Sequence, residues 1–191
     1  IGNLDWGNGI SPVLIVAGGY DTNKDDRPDP TDPAPGNAGT NDTKGNALFI
    51  IDALTGDLVW KAIKGSDPAT STVYENPNLH DSIPSEVTAV DSDGNGVIDR
   101  VYVGDTGGVL WRVDLAGNDP TDNTTPWVMK RLLSVGRHAR SEPDRRFFQP
   151  PDELPKPDSV GDYEALIIGT GTPPNPKQDD FNNSSERLFM N

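Results

Sequence analysis

The sequence predicts an all-β fold, a modified and incomplete β-propeller whose blades carry long loop insertions. Three observations lead there. No window holds an apolar i, i+3, i+4 pattern for three helical turns. Short β-branched and aromatic runs bounded by Gly, Asp or Asn recur along the whole chain. One pattern also repeats: "ALFIIDALTGDLVW" (47 to 60) and "GVLWRVDLAGN" (108 to 118) each place an aromatic-bearing strand before an Asp and a Gly-containing turn, as the middle strands of propeller blades do.

The strands follow in order. Val13 to Ala17 is an apolar run closed by Gly18 and Gly19, and Ala47 to Asp52 is closed by the turn "ALTG". Leu58 to Ala62 returns from that turn. Val87 to Val90 and Arg100 to Val103 flank an acidic loop, and Val109 to Asp114 leaves the turn "GDTGG". Trp127 to Leu133 and Glu164 to Ile168 complete the set. "PVLIVAGG", "DRVYVGDTGG" and "EALIIGTG" form a second family of strand followed by Gly-rich turn, so residues 1–191 read as part of one propeller domain of about three blade equivalents. Its strand-rich regions are 11–62, 85–115 and 127–191. The stretches 20 to 46, 64 to 84 and 137 to 162, rich in Pro, Asp, Asn and Gly, read as loops.

Composition narrows the function. Sixteen Lys and Arg stand against 30 Asp and Glu, a formal charge of −14, which disfavours nucleic acid and anionic membrane surfaces and suits cations. The absence of Cys excludes thiol catalysis, disulfides and thiolate metal sites. No apolar stretch approaches the length of a membrane helix, and no signal peptide is present. The chain starts at Ile1 without a Met and reads as cut from something larger.

The sharpest motif is "DSDGNGVID". Asp91, Asp93, Asn95 and Asp99 occupy positions 1, 3, 5 and 9 of a loop, Gly96 stands at position 6 where a calcium loop turns sharply, and the Val97 carbonyl falls at position 7. Three carboxylates so close together repel one another unless a cation lies among them. Position 12 is Tyr102 rather than Glu, and both flanks read as strands. The expectation is therefore an EF-hand-like Ca2+ loop between β-strands, closed by Asp99. A second stretch, "DTNKDDRPD", places Asp21, Asn23, Asp25 and Asp29 on the same grid, but with Asp26 in place of the turn Gly. It is the weaker cation candidate, with an acidic surface loop as the alternative.

Other motifs point away from catalysis. "GDTGG" contains a single Asp-Thr-Gly triplet, whereas an aspartic protease needs two, so a Gly-rich turn between strands accounts for it. "GTGT" (169 to 172) runs into Pro173 and Pro174, which leaves no helix N-terminus to hold a phosphate. His80 and His138 lie in loops without a nucleophile motif and read as surface residues. "KRLLSVGRHARSEPDRRFF" (130 to 148) gathers Lys130, Arg131, Arg137, Arg140, Arg145 and Arg146 with Phe147 and Phe148. That is either a docking patch or, as we favour, a set of cations paired with the chain's own carboxylates.

"DSDGNGVIDRVYVGDTGGVLWRVDL" (91 to 115), with "GNALFIIDALTGDLVW" (45 to 60) before it and "IIGTGTPPNPKQDDFNNSSERLFMN" (167 to 191) after it, resembles the C-terminal β-propeller domain of the PilY family of type IV pilus tip-associated proteins. The resemblance implies an exported protein at the cell surface or pilus tip, with outer-membrane association, and a non-enzymatic, calcium-dependent role in pilus biogenesis. It further implies support of extension and retraction, surface adhesion and twitching motility. Minor pilins of the tip complex, and a host or abiotic surface, are the implied partners. The family's calcium ligands map onto Asp91, Asp93, Asn95, Val97 (backbone) and Asp99. No Arg-Gly-Asp triplet is present, so the integrin-type contact of some members is not implied. The family's variable N-terminal region lies outside this sequence.

Two rival readings stand beside it. "DALTGDLVW" (52 to 60) is similar to the docking motif of quinoprotein dehydrogenase propellers, but the motif occurs once in clear form, and Trp60 reads as packing. The other is a calcium-stabilised extracellular adhesin or scaffold unrelated to pili.

Overall fold

The computed structural model describes residues 1–7, 9–24, 41–67, 72–115, 117, 119–120, 125–136, 145–154, 165–171 and 188–190. Among the described residues, twelve strands and one 3₁₀ turn, Thr22–Lys24, make up the regular structure. The all-β expectation holds, and among the described residues no helix is long and apolar enough to cross a membrane.

The strands form three sheets. The first has the order β1-β2-β3-β4-β5, from β1 (Gly2–Asp5), β2 (Ile10–Ala17), β3 (Ala47–Asp52), β4 (Leu58–Lys64) and β5 (Val73–Asn76). The second is a four-stranded antiparallel meander of β6 (Thr88–Val90), β7 (Arg100–Gly104), β8 (Val109–Asp114) and β9 (Val128–Ser134). The third pairs β10 (Asp152–Leu154), β11 (Ala165–Gly169) and β12 (Leu188–Met190). Each of the eight runs read from the sequence falls on a strand here, with Val87 and Trp127 just ahead of β6 and β9 and Glu164 outside the described residues.

The loop expectations need correction in two places. The stretch 64 to 84 contains β5, which pairs parallel with β4 in the register Lys61↔Val73 to Lys64↔Asn76. The stretch 137 to 162 contains β10, antiparallel to β11. The reason is non-local: "VYEN" and "DEL" are too short to show alternation, and the neighbouring strand supplies the ladder that makes them strands.

The two central strands of the middle sheet, β7 and β8, are buried on both faces, which is why "RVYVG" and "VLWRVD" read as nearly continuous apolar runs. One face of it joins the first sheet in a core that includes Leu4, Leu48, Ile50, Trp60, Val101, Val103, Trp111 and Met129. The opposite face sends Val90, Tyr102 and Leu110 against Phe147, Leu166 and Ile168. Trp60 is 1% exposed, stacked on Tyr74 (centroids 6.1 Å apart) and edge-on to Trp127 (6.2 Å). Truncating a side chain so enclosed costs about 3–5 kcal/mol.

Polar ties close the seams. Asp42 Oδ2 accepts hydrogen bonds from Ser82 N (2.8 Å), Ser82 Oγ (2.6 Å) and Thr106 Oγ1 (2.6 Å), so the approach to β3, the β5–β6 connection and the β7–β8 turn meet on one buried carboxylate. Thr88 Oγ1 donates to the carbonyl of Pro151, which joins β6 to the segment entering β10.

Candidate metal centre

The acidic loop lies between β6 and β7, as its spacing predicts. Val90, the last residue of β6, is buried, and the chain then turns out to solvent through Asp91–Val97 before re-entering at Ile98. Gly94 and Gly96 have φ of 75° and 87°, in the left-handed region where a side chain is strained. Those two residues curl the backbone so that three successive amides face inward. Asp91 Oδ1 accepts from Gly94 N (2.8 Å) and Asn95 N (3.0 Å), and Asp91 Oδ2 accepts from Gly96 N (2.6 Å). The Gly96 N–H outweighs the opposing effect of desolvation, the Asn95 and Gly94 amides add to it, and the Asp91 carboxyl is held below its ordinary 3.8.

Two more candidate carboxylates converge on the same place. One carboxylate oxygen from each of Asp91, Asp93 and Asp99 lies within 4.8 Å of the other two. Asp93 and Asn95 are exposed, and their side chains are linked by Asn95 Nδ2 donating to Asp93 Oδ2 (3.0 Å). Asn95 Oδ1 accepts from Val97 N (2.7 Å). Asp99 is half-buried. Its Oδ2 accepts from both Ser92 N (3.0 Å) and Ser92 Oγ (2.7 Å), while its Oδ1 is buried with no hydrogen-bond partner. A buried carboxylate oxygen without a donor is costly unless something positive is supplied. A hard, oxygen-preferring cation fits this donor set of three carboxylates, one amide and one backbone carbonyl.

Sequence spacing brought out Asp91, Asp93, Asn95, Val97 and Asp99 but missed Ser92 and Ile98. Ser92 clamps the closing carboxylate, and nothing in a Ser beside two Asp announces that role. Ile98 carried a usable signal, because an apolar residue inside a polar loop has to be buried somewhere.

In the second stretch, Asp25 and Asp29 lie outside the described residues. Asp21 is 8% exposed and its carboxylate reaches across the chain: Oδ2 accepts from Thr43 N (2.8 Å), Thr43 Oγ1 (3.0 Å) and Lys44 N (2.9 Å), and Oδ1 from Asn23 N (3.2 Å). The Thr43 N–H is the main reason that this carboxyl, too, is held below its ordinary 3.8. Asn23 Nδ2 donates to Asn41 O (2.8 Å), which closes the same loop.

The remaining motifs take structural places. Asp105 of "GDTGG" is 1% exposed, with Oδ1 accepting from Gly107 N (2.9 Å) and Val109 N (2.8 Å) and Oδ2 from the Trp111 indole (2.6 Å). It shapes the β7–β8 turn. Over its described residues the basic stretch divides, with Lys130 and Arg131 exposed on β9 and the 145–148 end turned inward. Phe147 is fully buried and Arg146 is 3% exposed, while Phe148 packs edge-on against Tyr20 and Lys130 pairs with Asp114 at 2.9 Å. Arg137 and Arg140 lie outside the described residues, as does His138. His80 is half-buried, with a buried Nδ1, rather than a free surface residue.

Comparison with known proteins places the chain. No family model matches it. Over 85 residues it is 39% identical to the type IV pilus biogenesis factor PilY1 homolog of Xylella fastidiosa, covering 43% of this chain and 6% of that protein. Over 153 residues it is 29% identical to the type IV pilus biogenesis factor PilY1 of Pseudomonas aeruginosa, covering 71% of this chain and 12% of that protein. The crystal structure of the Pseudomonas aeruginosa PilY1 C-terminal domain superposes with a TM-score of 0.42 at 20% identity, over 68% of this chain and 28% of that one. The chain thus spans a small part of the length of these relatives. Both sequence relationships are thus to PilY1 proteins, each over part of this chain and a small part of the relative.

Proposed function

We propose that this chain is a non-enzymatic, calcium-binding part of a type IV pilus biogenesis factor, built as consecutive blades of a modified β-propeller. The observation that carries the calcium reading is the meeting of three carboxylates within 4.8 Å around a loop whose closing Asp99 keeps a buried, unpartnered oxygen. Asp91, Asp93, Asn95, the Val97 carbonyl and Asp99 would hold the ion. Neutralising their mutual repulsion is the chemistry it supplies.

The blade reading is supported by the four-stranded meander β6 to β9 and by stacking of the three sheets on both faces of the middle one. The non-enzymatic reading is supported by the commitment of Asp105 and Trp60 to turn and core. The relatives' names bring the reading of a type IV pilus biogenesis factor; export to the pilus tip or cell surface, partnership with minor pilins, and service in extension, retraction, adhesion and twitching motility are the further parts of our proposal. In a host bacterium, Asp99→Ala in the full-length protein should impair calcium binding and pilus-dependent motility together. Lost calcium binding with unchanged twitching would remove the regulatory part of this reading.

A further inference from the structure

We propose that the 91–99 loop is a cation-set clasp that fastens the edge strand β1 to the second sheet through Ile98; this rests on the calcium reading above. Ile98 stands between two candidate ligands, the Val97 carbonyl and the Asp99 carboxylate, and is itself 8% exposed. Its backbone N–H leaves its own sheet and donates to Asn3 O of β1 at 2.9 Å. Its side chain covers Gly2: a Cβ added there would lie 2.2 Å from Ile98 Cδ1, so any larger residue would make the Ile98 side chain shift. The next residue faces the other way. Asp99 N donates to Val90 O (3.0 Å), and Asp99 O accepts from Leu115 N (2.9 Å), both within the second sheet.

β1 has four residues and one strand partner, β2, so its free edge depends on ties from elsewhere. Ile98 supplies such a tie, and the positions on either side of it are those that a bound cation would fix. With the loop unfilled, the repelling carboxylates let residues 97 to 99 move, and the Ile98–Asn3 bond opens with them. A ligand that binds only the closed state suppresses opening by a factor of 1 + [L]/Kd, about 100-fold at a hundredfold excess over Kd.

The test is amide hydrogen exchange of the 191-residue chain with and without calcium, with calorimetric titration on the same samples. The expected result is slower exchange of the Ile98 and β1 amides, by up to about 100-fold at a hundredfold excess of calcium over Kd, with β11 amides unchanged. Ile98→Ala should still bind calcium but, with the side-chain cover of Gly2 gone and only the backbone bond to Asn3 left, show a smaller calcium-dependent slowing at β1. Calcium bound by calorimetry, with slowing confined to 91–97, overturns the clasp and leaves the metal site standing. Absence of binding by a folded chain overturns both, and an undiminished β1 effect in Ile98→Ala overturns the role of the Ile98 side chain.

Discussion

Asp21 and Asp91 open loops written on the same grid of acidic and amide positions, yet the two carboxylates do different work. Asp91 gathers amides from three to five residues ahead, inside its own loop, because Gly94 and Gly96 let the backbone curl around it. Asp21 takes its donors from Thr43 and Lys44, more than 20 residues away, and so ties a long connection shut. In the first loop the neighbouring carboxylates of Asp93 and Asp99 are left crowded around a common centre. The lesson is that spacing nominates both loops alike, while the destination of the backbone amides separates a crowded acidic centre at Asp91 from a tie across the chain at Asp21.

The comparison breaks most sharply at the ligands. Asp91→Asn or Asp99→Asn should lower calcium affinity by at least about 10–100-fold, the range that losing even an outer-shell partner of a metal produces, while Asp21→Asn leaves it within about twofold. Calorimetric titration of the three variants separates the roles. Equal losses in all three would mean that Asp21 also serves an ion. Next in size, calcium at a hundredfold excess over Kd should stabilise the wild-type chain by about 2.7 kcal/mol. At roughly 2–4 °C per kcal/mol for a chain of this size, thermal unfolding should rise by about 5–11 °C. That gain should survive in Asp21→Asn and vanish in Asp91→Asn.

Smaller effects sharpen the contrast without metal. Asp21→Asn should lower the melting temperature of the calcium-free chain, since the Thr43 and Lys44 amides lose their anionic acceptor. Melting curves in chelator check this. Acid unfolding should report the same tie. The Asp21 carboxyl has its folded pKa below the ordinary value, so its stabilisation is complete above about pH 4 and is lost as pH falls through the lower folded value. Asp21→Asn should therefore flatten the acid limb below about pH 4, and an unchanged limb would show that the strap adds nothing.

Much of this fold is legible in the sequence where a strand carries its own signal. "VLIVA", "ALFIID" and "VLWRVD" show β-branched and aromatic residues between Gly and Asp punctuation, and each is a strand. β1 is "GNLD", which has one apolar residue; its strand geometry comes from β2 through the pairs Gly2↔Val13 to Asp5↔Ile10. β5 depends in the same way on a parallel partner reached after a long connection. At the acidic loop, the three carboxylates that meet were readable because the 1, 3, 9 spacing nominates them. Ser92 and the Ile98–Asn3 bond were not, because each depends on where another part of the chain arrives. The Asp42–Ser82–Thr106 junction is more hidden still, since three residues from three loops meet on one buried carboxylate.

The most direct test of the calcium site is isothermal titration of the metal-stripped chain with calcium, with Asp91→Asn alongside and circular dichroism confirming that both are folded. The account predicts one saturable ion per chain for the wild type and none for the variant in the same range. A folded wild-type chain that binds no calcium, or binds it equally well after Asp91→Asn, would contradict it.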